Sequence, residues 1–290
     1  MTAVPAAAPV VPDEVGVAID AELRAELRRR RRDVVLAAAT PMALLALWEI
    51  GARTGAIDPL LFSPPSAILA RGVELTLSGE LILHLLATVA RLVVGFVAGA
   101  VAGIAVGLLM SAIRPVRAAL DLTFTALYAL PKIAILPLLL LIFGITETPK
   151  VLAVAIAVFF VLQINTLAGY KQIDPRVLEA ARAYGATGWK GFRYVVLPAA
   201  MPAVFTGLRV SAGMSVVVVT AVEFVASESG LGYLIWNSWQ LFQPERMYVG
   251  LIVVSALGAA LTGLLLGLER LLLPWRRSTP GRRRMRKGVR

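Results

Sequence analysis

Few groups in this chain could do covalent chemistry. There is no Cys and a single His, His84, so thiolate nucleophiles, disulfides and histidine-cluster metal sites are excluded together. No Gly-x4-Gly-Lys-Ser/Thr phosphate loop occurs, and the Gly188-Trp189-Lys190 tripeptide lacks both flanks of one. What remains is charge in unusual places. Lys132, Arg209 and Glu223 lie inside otherwise apolar stretches, where an ionisable group is expensive unless it is paired or faces water. Lys132 follows Pro131, and Pro131 with Pro137 removes two backbone donors and should bend any helix there. Lys132 either reaches for the cytoplasmic interface or lines a polar path, and the same two readings apply to Glu223. Gln163 and Asn165 read as interhelical hydrogen-bond partners.

The second informative constellation is a polar connection at 173–201, IDPRVLEAARAYGATGWKGFRYVVLPAAM. Asp174 is a natural N-cap with Pro175 at the first helical position, 177–184 is helix-forming, and Gly185 suits a left-handed C-terminal turn. A second helix can begin at Thr187 and should end near Leu197, because Pro198 disfavours helical geometry in the residue before it. Trp189, Phe192 and Val196 would share one face. Ala180 and Ala181 leave the first helix bare of bulk, and Glu179 and Arg182, three apart, could pair with each other or meet charges on a partner. An amphipathic connector lying on a membrane would look similar.

These residues are carried by a membrane protein. Of 290 residues 58% are hydrophobic and 16% charged, with a mean hydropathy of +0.79, which leaves too little charge for the surface of a soluble enzyme or a free nucleic-acid binder. Three uncharged stretches, 92–113, 151–170 and 248–268, are long enough to cross a bilayer, and 34–50, 120–145 and 203–225 bring the expected spans to six. The part of 120–145 before Pro131 is expected in the interface, and Trp48 in an interfacial belt. With the N-terminus inside, 21 Lys and Arg fall on one side of the membrane and four on the other, so both termini are expected in the cytoplasm. The net charge of +11 sits mostly in the tails, which read as topology signals and contacts to anionic membrane lipid, with no nucleic acid partner. The domain reading is a disordered basic tail 1–33 without an evident cleavable signal, a transmembrane domain 34–272 containing the cytoplasmic loop 171–202, and a basic tail 273–290.

Small residues recur at four-residue spacing in three spans: Gly95, Gly99, Gly103 and Gly107; Gly207, Ser211 and Ser215; Ser255, Ala259, Gly263 and Gly267. Such ridges let backbones approach closely, against a helix of the same chain or of another. The Ser211 and Ser215 face is expected at a dimer interface or a pore wall.

Glu179-Ala180-Ala181, three residues, Gly185, eleven residues, Leu197-Pro198 resembles the EAA motif of ABC importer permease subunits. The resemblance runs over about Leu61 to Trp275 and includes FSPPSAIL, HLLATVARLVVGF, ALPKIAILPLLLLIFGITETPKV, FFVLQINTLAGY and VEFVASESGLGYLI. Together these segments are similar to the nitrate, sulfonate and taurine branch of binding-protein-dependent permeases. The resemblance implies an all-α, type I importer architecture in the plasma membrane of a prokaryote, and a non-enzymatic subunit working as a homodimer. It implies two cytoplasmic ATPase subunits carrying ATP and Mg, an extracytoplasmic solute-binding protein, and a small anionic solute such as a sulfonate, taurine or nitrate. It places coupling to the ATPase on Glu179, Ala180, Ala181, Gly185, Leu197 and Pro198, to which the outward Arg182 is added from the residues themselves; the residues also offer a translocation path near Pro131, Lys132, Ser211, Ser215 and Glu223. The alternatives are an ion-gradient-coupled secondary transporter, which would usually want inverted repeats and midplane carboxylates, and a membrane-anchored assembly protein.

Overall fold

The computed structural model describes residues 13–276, and every described element is helical. The chain divides into two units, 1–67 and 68–290. The first unit is dominated by α1 (Asp13–Thr54), a 42-residue helix. Residues 1–12 and 277–290, which hold parts of both expected basic tails, lie outside the described residues; 13–33, expected within an unstructured tail, are helical as the first part of α1. The reason is local: AELRAELRRRRR consists entirely of strong helix formers. Glu49, which interrupts the first apolar stretch, closes the unit. Its carboxylate accepts from the Ser66 backbone N–H at 2.9 Å and the Ser66 hydroxyl at 2.7 Å, and pairs with Arg53. It thereby satisfies the first turn of α2 (Pro65–Leu77), whose Pro65 has no N–H to satisfy.

The second unit is built on α3 (Glu80–Ala112), α6 (Glu147–Lys171), α9 (Leu197–Ala226) and α11 (Pro244–Leu272). The glycine ridge of α3 decides the central packing. A Cβ at Gly95 would lie 2.7 Å from Cβ of Val154, one at Gly103 would lie 2.6 Å from the Phe159 carbonyl oxygen, and one at Gly107 would lie 2.6 Å from Cβ of Thr166; one at Gly99 would strike the Ala155 carbonyl oxygen. The partner of the ridge is therefore α6 of the same chain. The pairing order, 95 with 154 through 107 with 166, makes α3 and α6 parallel. Antiparallel α9 meets α6 at a second close crossing, where Gly207 faces Asn165 and Leu162, and Gly169 faces Ala203. Leu92, Phe96, Val154, Val158, Leu162, Val216, Val219 and Val222 fill the core between the three helices.

Parallel α3 and α6 require a return path, and α4 (Arg114–Tyr128) with α5 (Leu136–Phe143) supplies it. The expected single span 120–145 is instead two pieces bent by 95° at a break of a few residues. Among the described residues five helices are thus long and apolar enough to cross a membrane, six if this bent pair counts as one. Pro131 stands at the break, a 3-10 turn spans Lys132–Ile135, and Pro137 opens α5. Lys132 does not reach for an interface. It is buried beside Phe160, half-way along α6, with its ammonium 5.2 Å from that ring. The ammonium donates to the Leu130 carbonyl at 2.8 Å, to that of Leu127 at 3.4 Å, and to that of Tyr128. It serves carbonyls at and just past the end of α4, that of Leu127 being shared with the Leu130 N–H, which is how a charge is tolerated at that depth.

Pro198 does not end a helix as expected. Helical backbone is continuous from Gly188 to Ala226, through α8 (Gly188–Gly191), a π-turn at Phe192–Val196 and α9, with Leu197 in ordinary α geometry. The π-turn widens the coil just ahead of the pyrrolidine ring, where the Leu197 N–H reaches back to the Phe192 carbonyl.

Candidate functional site

Two places in the second unit bring functional side chains together, one at each end of the α3–α6–α9 core. At the end where α6 stops, α7 (Pro175–Ala183) follows after a short turn. Asp174 caps it, its carboxylate accepting the Arg176 N–H at 2.9 Å. At its other end Gly185 has φ +76°, its N–H donates to the Arg182 carbonyl at 3.0 Å, and the Ala186 N–H donates to that of Ala181 at 2.8 Å. This is a complete Schellman closure, with the left-handed position taken by the residue that adopts it without strain.

Local sequence alone thus shapes a nine-residue helix with no buried residue. Glu179, Ala180, Arg182 and Gly185 are exposed, while Ala181 is half-buried and turned toward the chain. Glu179 and Arg182 form no ion pair among the described residues, so both charges are presented outward. Trp189 stacks on Phe192 with ring centroids 5.4 Å apart, yet Trp189, Tyr184 and Tyr194 are 73%, 92% and 73% exposed. A cavity of about 730 Å³ lies beneath, between Leu108, Leu109, Ala181, Trp189 and Phe192. Leu197 and Pro198, half-buried, join this surface to α9 through the π-turn. The arrangement can do no bond chemistry. It offers a short, rigid, small-faced helix and exposed aromatic rings to another macromolecule.

At the opposite end Arg91, Lys150 and Glu223 are buried, while their partner Glu147 is exposed. Glu223 on α9 is fully buried and accepts from the Thr88 hydroxyl at 2.9 Å, from Arg91 at 2.7 Å and from the Gly232 N–H at 2.9 Å. Arg91 on α3 also holds Glu147, at the start of α6, through two bonds of 2.5 and 2.9 Å. Glu147 further accepts from Lys150 at 2.8 Å. Glu223 therefore lies neither at a lipid interface nor on an open passage in this conformation. Sequence reasoning singled out Glu223 but missed Arg91, Thr88, Glu147 and the role of His84. The signal was present: His84, Thr88 and Arg91 are spaced four and three apart, one polar face on an otherwise apolar helix.

The remaining expected path residues are dispersed. Pro131 is exposed at the helix break, while Ser211 and Ser215 are fully buried within the chain, their hydroxyls donating to the Leu208 and Ala212 carbonyls. In this conformation they present no surface to a second copy or to a passage, because the small residues of α9 are used for packing inside the chain. Gln163 donates to the Met110 sulfur of α3 at 3.0 Å, an interhelical contact, whereas Asn165 bonds back to Val161 of its own helix. On α11, by contrast, Ser255, Ala259, Gly263 and Gly267 all face away from the chain.

Residues 82–277 match the family described as binding-protein-dependent transport system inner membrane component. The chain belongs to this family. The permease is 31% identical over 241 residues to SsuC of Bacillus subtilis, whose name assigns it to aliphatic sulfonate transport, covering 83% of this chain and 87% of that one. It is 31% identical to the taurine transport system permease protein TauC of Escherichia coli over 249 residues, covering 84% and 90%. It is also 36% identical to the riboflavin transport system permease protein RibX of Chloroflexus aurantiacus over 239 residues, covering 82% and 89%. Among solved structures, an inward-facing form of the MetNI methionine ABC transporter superposes with a TM-score of 0.57 at 19% identity, over 65% of this permease and 94% of that chain. The likeness is one of fold. The permease is an inner membrane component of an ABC importer with all-α, multi-pass architecture.

Proposed function

We propose that this permease works as a homodimer, with both termini in the cytoplasm, and that its 171–202 loop docks on two ATP-binding subunits that carry ATP and Mg. A solute-binding protein delivers the solute on the far side. The observation that carries this reading is α7: a capped, largely exposed helix with no buried residue and a small-residue face, placed just after α6 and followed by the helical stretch that runs through the π-turn into α9, so that force on the loop is delivered to both core helices. The solute is a small organosulfonate anion, as the names of the sulfonate and taurine relatives support. The riboflavin relative marks the chemical alternative. Family membership argues against the secondary-transporter and assembly-protein readings.

The deciding experiment reconstitutes the permease with its ATPase and with solute-binding proteins encoded beside it, and follows uptake of labelled taurine, an alkanesulfonate and riboflavin. ATP-dependent uptake of the sulfonates that requires the binding protein is expected. Uptake driven by an ion gradient through the permease alone would overturn the reading.

The orientation has its own test, and the absence of native cysteine makes it clean. Ser78→Cys, ahead of α3, should react in intact cells with an impermeant maleimide, and Tyr184→Cys on the loop should react only after the membrane is opened. The reverse pattern would invert the topology and remove the loop from the cytoplasm.

A further inference from the structure

The Arg91 cluster does more than neutralise a buried carboxylate. A guanidinium has five N–H donors, and Arg91 uses all of them: two on Glu147, one on Glu223, one on the Ser229 carbonyl at 2.6 Å and one on the Ser229 hydroxyl at 2.9 Å. The fork thus joins α3, α6 and α9 to the short loop 227–230 that leads into α10 (Leu231–Gln240).

The same loop is held from three further directions. The Gly230 N–H donates to Nδ1 of His84 at 3.1 Å, the Leu231 N–H to the Thr88 hydroxyl at 2.7 Å, and the Gly232 N–H to Glu223. These are backbone donors that the start of α10 would otherwise leave without partners. The Ser227 hydroxyl donates to the Ser229 carbonyl at 2.6 Å and lies 3.4 Å from Nζ of Lys150. Gly230 is obligatory here, since at φ +114° a Cβ would run into the Glu223 carboxylate. Inside this scaffold one residue projects outward: Glu228 is exposed while Ser227, Ser229 and Gly230 are half-buried or buried.

A four-residue turn between two helices needs no such support merely to connect them. Removing two or more charges from water to immobilise a turn that shows only Glu228 to its surroundings is costly, and it gains most where the turn must meet something in one conformation. We propose that Arg91 is a positioning residue for solute delivery: its guanidinium holds loop 227–230 in the conformation that the solute-binding protein engages, with Glu228 at the contact. The inference rests on the importer reading and on the orientation given above, which puts this end of the bundle on the delivery side. It adds a residue and a surface that neither specifies.

The test uses the complete importer and two readouts. A spin label on Glu228→Cys reports the loop itself and is expected to be immobilised in the otherwise unchanged permease. Arg91→Gln and Arg91→Lys should both mobilise it, because an ammonium cannot reach four separate groups in fork geometry. In unlabelled permease both variants should raise the binding-protein concentration for half-maximal ATPase stimulation about tenfold, that is by roughly 1.4 kcal/mol, with a smaller effect on the stimulated rate. Rescue by lysine would reduce Arg91 to a buried counter-charge and overturn the proposal.

If the Arg91 variants do not fold, the double change Ser227→Ala with Ser229→Ala, which leaves the ion pairs in place, should give the same two effects in milder form. A mobile label with unchanged half-saturation would show that the binding protein does not engage this loop. An immobile label in every variant would show that Arg91 does not position it. Absence of any stimulation with unmodified permease would instead defeat the importer reading, and the inference with it, while the label would still report the clamp.

Discussion

Gly99→Ala should lower the melting temperature of the detergent-solubilised permease markedly, and Gly99→Leu combined with Gly103→Leu should leave no folded permease to purify. At both positions the added carbon meets a backbone carbonyl of α6, of Ala155 and Phe159 respectively, and backbone cannot move aside as a side chain can. The helices would have to separate along their whole crossing. Overpacking of this kind costs on the order of 1 to 3 kcal/mol for a single methyl and more for a larger group, against a total stability of only about 5 to 15 kcal/mol. The internal control is α11, where nothing lies within 4 Å of a Cβ built at Gly263 or Gly267. The corresponding leucines there should leave the chain's own melting unchanged. An unshifted melt for Gly99→Ala would mean that α3 and α6 are not in backbone contact.

The second large effect is expected at the loop and is functional instead of structural. Glu179→Arg and Gly185→Val should each cut ATP-driven uptake and permease-dependent stimulation of the ATPase by more than tenfold at near-normal expression, with melting unchanged for Glu179→Arg and lowered for Gly185→Val only by its local backbone strain. Glu179 is exposed and forms no ion pair among the described residues, so reversing its charge is expected to disturb what docks on it. Gly185 at φ +76° has nothing within 4 Å of a Cβ built there, so the penalty expected of valine is the left-handed backbone itself. That strain, about 1 to 3 kcal/mol, falls on the Schellman closure that aims α7. Complex yield on affinity purification separates lost docking from lost transmission. Normal uptake in both variants would show that 171–202 is a connector and that coupling runs elsewhere.

What could be read from the residues themselves was whatever depends on neighbours in sequence. Asp174, Pro175 and Gly185 specify α7 because caps and left-handed turns are settled within a few residues. The long apolar spans were legible for the same reason. Spacing also revealed the glycine ridge, but not its partner: that α3 lies parallel to α6 depends on contacts between residues more than fifty positions apart, such as Gly95 with Val154. Lys132 was open to two readings because its acceptors are its own preceding carbonyls, which become available only when the chain bends by 95°. Pro198 misled for a related reason. The rule that a proline stops the preceding helix assumes ordinary α pitch, and the π-turn removes that assumption. Of the Arg91 cluster only Glu223 stood out, because a charge at the edge of a span such as Arg91 or Glu147 looks ordinary alone; the groups become a site only once α3, α6 and α9 are assembled.

The break at Pro131 bears on how the permease enters the membrane during synthesis. At about 1.5 Å per residue, α4 is some 22 Å long and the stretch from Lys132 to Phe143 about 18 Å, each short of a hydrocarbon core of roughly 30 Å. Neither piece can leave the translocation machinery for lipid as an independent stop, and Lys132 between them would carry an ammonium into the acyl chains. Phe160, whose ring faces that ammonium, is made only when α6 emerges. The return from α3 to α6 is therefore expected to be handed over together with α6 as one hairpin: the bend lets Lys132 bond its own preceding carbonyls, and the Phe160 ring of the later helix covers that bend.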